Sequence, residues 1–117
     1  MEVQAISPDW IMHKVSTGRP YIIMFLIAAK DAPADEAEAQ RLQMGHLAHL
    51  FTLEQKGEIS VFGPVINDTK LRGVIVFNTS DKERIKDLMV DDPYMLGGYL
   101  TYELLDWFSI PGQTLPV

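Results

Sequence analysis

Histidine and aspartate are the side chains of this sequence best suited to moving protons near neutral pH, and a few of them stand at suggestive positions. His46 and His49 lie three residues apart, and Asp91 and Asp92 follow some forty residues later, just before Pro93. An imidazole titrates near pH ~6.5 and can both take and return a proton. A carboxylate that accepts from the ring fixes its tautomer and raises its basicity. Asp91 and Asp92 both compete for that place, although an acid before proline is also ordinary turn chemistry. The spacing of His46 and His49 could present two imidazoles to one metal, but no third ligand is signalled nearby and no metal is expected. Gly63-Pro64 either ends a strand or brings backbone close to a ligand, which needs a residue without Cβ.

The element that must position His46 is the helix running from the acidic turn Asp35-Glu36 to about Lys56, with Gly57 as its C-cap. At about 100° per residue, Leu42, His46, Leu50 and Leu53 share one narrow arc and His49 lies at its margin. Arg41, Thr52, Glu54, Gln55 and Lys56 occupy the opposite arc, so the helix has a solvent side where an imidazole could have stood. A histidine at the centre of the inward stripe must be hydrogen-bonded or used, because burying it unpaired is costly. Two readings follow: a general acid or base, or a core histidine bonded to a backbone carbonyl.

Composition removes several function classes. The 117 residues fit one domain, and the absence of cysteine excludes disulfides, thiolate zinc sites and cysteine nucleophiles. A net charge of −6, with ten basic residues scattered along the chain, argues against nucleic-acid binding. By the same argument Trp107 and Phe108 read as core or dimer packing rather than a base-stacking platform. The most apolar run, Tyr21 to Ala29, is too short to span a bilayer, and Glu2 and Asp9 stand where a leader would be basic. No membrane association is expected, and the default location is the cytoplasm.

Around the long helix, Ser7-Pro8-Asp9 reads as the start of a short helix ending at Gly18, whose Trp10 should pack on the main body or on a partner. Tyr21 to Ile27 is a strand without polar alternation. Ile59 to Phe62 and Leu71 or Gly73 to Phe77 form a hairpin. Ser80 caps a second helix, Asp81 to Val90, with Glu83 completing a capping box. Pro93 to Gly98 is a loop, and Tyr99 to Phe108 a final strand. The order strand, helix, strand, strand, helix, strand is the split βαβ, or ferredoxin-like, arrangement: α+β, with both helices on one face of a four-stranded antiparallel sheet. Ile22 to Ile27 and Val74 to Phe77 are apolar at consecutive positions, so the other sheet face must be covered too. Little chain remains to cover it, and a homodimer packed sheet to sheet is the economical answer.

Arg41, His46-Leu47-Ala48-His49-Leu50, Gly57, Gly63-Pro64, Gly73, Asp92-Pro93, Gly98 and Trp107 together resemble the YciI-like (YCII-related) family. The resemblance spans roughly Tyr21 to Gly112, giving a helical arm over 1–19, a domain over 20–112 and a tail over 113–117. It implies a ferredoxin-like fold dimerising as an α+β barrel and a catalytic pair formed by His46 and Asp92. Arg41, Gly63 and Pro64 become candidates for substrate binding, and no cofactor is implied. The family includes a lyase that removes chloride from a chlorinated hydroquinone, while most members have no assigned substrate. The implied function is a small-molecule enzyme, lyase, isomerase or hydrolase, using the histidine–aspartate pair for acid–base chemistry. The alternative is a dimeric ligand-binding or accessory module whose histidine only holds the helix to the sheet; haem-using relatives of the barrel are a more distant possibility. Gly45, just before the histidine, and the N-terminal arm set this chain apart from the simplest members.

Overall fold

The computed structural model describes residues 2–117. Its elements are α1 (Pro8–Ser16), β1 (Arg19–Ala28), α2 (Glu36–Gln55), β2 (Ile59–Pro64), β3 (Leu71–Phe77), α3 (Lys82–Met89), α4 (Pro93–Leu96) and β4 (Leu100–Ser109). The strands form one antiparallel sheet in the order β2-β3-β1-β4. β1 and β2, joined through α2, are separated by β3, which makes this the split βαβ arrangement with one short helix added before it and another before β4.

Alternation along the strands divides the sheet into two faces. Ile22, Met24 and Leu26 of β1, with Ile75 and Phe77 of β3 and Ile59 of β2, form one buried cluster with Leu50 and Leu53 of α2 and Ile85 and Met89 of α3. That cluster is the core. Register partners share a face, so Ile23 with Val76 and Leu105, Phe25 with Val74, and Tyr21 with Trp107 belong to the other one. There Ile23, Phe25 and Val74 are only half-buried, and Leu105 and Trp107 are exposed.

Two local expectations are corrected and a third is narrowed. Asp81, not Ser80, caps α3: its Oδ1 accepts from the amides of Glu83 and Arg84. The cap falls one residue later, so Glu83 sits too early in the helix to close a capping box. Pro93 does not begin a plain loop, because Asp92 caps the one-turn helix α4, with Pro93 at its first position where a missing N–H costs nothing. Finally, Trp10 is not buried within the single chain. No residue of α1 is buried, and Trp10 is 36% exposed with the Lys14 ammonium 5.6 Å from its ring. Among the described residues, no helix is long and apolar enough to cross a membrane.

Candidate active site

Four residues of α2 turn inward, Leu42, His46, Leu50 and Leu53, and the imidazole is the polar member of that buried stripe. Asp92 comes to it from the turn between α3 and α4. His46 Nδ1 and Asp92 Oδ2 are 2.7 Å apart. Asp92 has no solvent exposure, so its charge must be met inside the protein. Its Oδ1 accepts from the Tyr94 amide at 2.9 Å, which makes one residue both helix cap and histidine partner. An ionised carboxylate can only accept, so Nδ1 donates and Nε2 is left without its proton in the neutral ring.

Two further contacts bring this turn to α2. His49 Nε2 lies 2.8 Å from the Leu88 carbonyl oxygen, where the ring donates and ties the end of α3 to α2. Gly45 lets the next turn come close: a Cβ there would lie 2.9 Å from the Pro93 ring. Glycine costs about 1 kcal/mol within a helix. Here its gain is the approach that seats Asp92 beside His46. The two histidines therefore divide the work, and His49, bonded to a carbonyl, is not turned with His46 toward a shared ligand. Asp91 is exposed.

His46 lines a cavity of about 460 Å³ between α2, the sheet and the segments preceding α2 and β4. Nε2 makes no protein hydrogen bond, and among the described residues no buried side-chain nitrogen or oxygen is left unpaired, so this atom meets the cavity. Gly63 and Pro64 line the same space. A Cβ on Gly63 would meet nothing within 4 Å, so packing does not demand a glycine there. Arg41 is not in the lining. Its side chain is 67% exposed and its guanidinium is held by Glu38 on the same helix, with Nε 2.9 Å from Oε2, so the substrate-binding place expected for it is not where it lies.

The lining also holds residues that the sequence did not single out: Gln43, Tyr94, Tyr99, Lys30 and Arg72. Tyr94 stacks obliquely on the His46 ring with centroids 4.8 Å apart, and its hydroxyl donates to Gln43 Oε1 at 2.5 Å. Burial, and then the Asp92 charge, push the Tyr94 phenol above its ordinary range, against a smaller opposing pull from Arg72. Tyr94 thus stays a neutral donor beside the imidazole. Gln43 lies one turn before His46 on α2, a spacing that could have marked it, whereas the other four stand on no periodic apolar stripe and their convergence depended on the folded chain.

The fold is that of the small α+β proteins with a ferredoxin-like sheet. The profile of the YCII-related domain family matches residues 23–108, and the chain belongs to that family. Two solved structures share the fold. The 5-chloro-2-hydroxyhydroquinone dehydrochlorinase of Burkholderia phenoliruptrix AC1100, in complex with 2,5-dihydroxybenzoquinone, is 21% identical with a TM-score of 0.51, over 72% of this chain and 92% of that one. Muconolactone isomerase is 14% identical with a TM-score of 0.62, over 83% of this chain and 97% of that one. No curated protein matches the sequence.

Proposed function

We propose that the protein is a small-molecule enzyme in which His46 Nε2 removes a proton from a carbon of a ring substrate, with Asp92 holding the ring in the required tautomer. The observation that carries this reading is the buried 2.7 Å pair whose free nitrogen opens on a cavity. A histidine that only fastened α2 to the sheet would need no such space. Abstraction next to a carbonyl places the C–H proton on Nε2 and its electron pair in the adjacent carbon–carbon bond. If a leaving group stands on the next carbon, it departs with its bonding electrons and the reaction is an elimination. If not, the imidazolium returns the proton at another carbon and the reaction is an isomerisation. Both kinds of chemistry appear in the names of proteins that share the fold, a dehydrochlorinase and an isomerase. The cavity suits one small ring, and the bare backbone at Gly63 allows such a ring to lie against β2. The molecule acts as a homodimer whose sheets pack through the open apolar face.

The test uses 5-chloro-2-hydroxyhydroquinone and muconolactone in D2O, followed by chloride release and by NMR of ring deuteration. Wild type is expected to turn over or deuterate at least one of them. His46→Gln, which keeps a donor for Asp92, should be slower by about 10²–10⁴-fold. Equal rates in both proteins would contradict the reading.

A further inference from the structure

The walls of the cavity carry more positive charge than the composition of the chain foretells. Besides His46, the charged side chains of the lining are Lys30, Arg72 and Asp31, in a protein whose net charge is −6. Neither Lys30 nor Arg72 has a carboxylate oxygen within 4.0 Å among the described residues, although acids outnumber bases sixteen to ten. Arg72 stands on β3 beside Gly73, the register partner of Pro64. One of its five N–H donors is engaged, with Nη1 donating to the Asp68 carbonyl oxygen at 3.1 Å. The carboxylate of Asp68 does not cap the guanidinium by a hydrogen bond; its Oδ1 accepts from the amides of Lys70 and Leu71 at 2.7 and 2.9 Å. Lys30 is held by an aromatic face instead of an acid, with Nζ 4.3 Å from the centre of the Tyr99 ring. Arg72, Tyr94 and His46 line the same cavity, with the Tyr94 ring against the imidazole, so the cation and the imidazole border the same space.

A guanidinium with free donors at the wall of a cavity matches a planar carboxylate, which it can grip through two parallel hydrogen bonds. We propose that Arg72, supported by Lys30, is the anchor for a carboxylate on the substrate, so that the cavity takes small ring acids and turns the ring toward His46. The inference rests on the reading of this cavity as the substrate site. Arg72 is a specificity-determining residue in this arrangement. Asp31, the acid in the same wall, disfavours a second negative group and limits the substrate to one carboxylate facing the cations.

Benzoate and its neutral isostere benzamide separate charge from shape. Their binding to the full-length protein is measured by amide NMR shifts at low salt, in wild type, Arg72→Gln and Arg72→Lys, with thermal unfolding of each variant to show that this exposed side chain is not needed for folding. Benzoate should bind wild type at least about tenfold more tightly than benzamide, with the largest shifts at Gly73 and Tyr94. Arg72→Gln should abolish that preference, and Arg72→Lys should restore part of it. Equal binding of the two probes to wild type, or an undiminished preference in Arg72→Gln, would overturn the proposal. Benzoate offers no proton for the deuteration assay, so the two failures are distinguishable. Binding that depends on Arg72 without any exchange that depends on His46 would support the anchor and remove the proposed reaction.

Discussion

An aspartate without solvent exposure keeps its charge only when both oxygens are served, and at Asp92 one faces His46 Nδ1 and the other the Tyr94 amide. That arrangement has a direction. Because the carboxylate cannot donate, the ring proton is held on Nδ1 and the lone pair on Nε2 is aimed at the cavity. The inward place of His46 was legible from the sequence, since an imidazole among Leu42, Leu50 and Leu53 at helical spacing has one side to occupy. The choice between Asp91 and Asp92 was not legible from residue type or spacing alone. It is made by the turn, in which Asp92 caps α4 and is drawn under the helix while Asp91 stays outside. Arg72, Lys30 and Tyr94 were hidden for a different reason: they reach the cavity from a strand, a loop and a one-turn helix, and no local pattern joins them.

At the scale of elements, the pair depends on how closely α4 docks on α2. Six strand and helix segments in the ferredoxin-like order could be read from apolar periodicity and from glycine and proline punctuation. The short helix α4 could not, since four residues carry no period. The close approach at Gly45 belongs to the same contact. Alanine there would gain about 1 kcal/mol in helix propensity, yet its Cβ would stand 2.9 Å from the Pro93 ring and push the Asp92 turn outward. Gly45→Ala is expected to leave the protein folded, with overall stability changed by no more than about 1 kcal/mol, but to slow the His46-dependent reaction by about tenfold or more. Unchanged turnover with a displaced Asp92 would show that the docking is not what sets the site. Thermal unfolding and the deuteration assay read the two effects separately.

For the whole molecule, the decisive feature is the second sheet face. Ile23, Phe25 and Val74 are half-buried there and Leu105 and Trp107 exposed, with Glu103 the acid opposite Phe25. Full burial of a large apolar side chain stabilises by about 1.5–3 kcal/mol, which is the contribution each of these side chains would make to the proposed dimer if a second copy covered this face. The consecutive apolar residues of β1 carried that expectation from the sequence. The seating of the arm was less legible: α1 has an N-cap and a proline that fix its start, but nothing in its own pattern says what Trp10, Ile11 and Val15 touch. Light scattering at low micromolar concentration should give twice the 13.2 kDa chain mass, and Leu105→Arg should shift the mass toward a single chain. A wild-type mass of one chain would contradict the dimer.

If Asp92 makes His46 a base directed at the cavity, the tautomer of the His46 ring must show it. Long-range ¹H–¹⁵N NMR of the His46 side chain at alkaline pH reports which nitrogen carries the proton. Nδ1 should be protonated and Nε2 bare and pyridine-like in wild type, with the reverse in Asp92→Asn, whose amide can donate to Nδ1. A wild-type ring with its proton on Nε2, or one unaltered by Asp92→Asn, would contradict it.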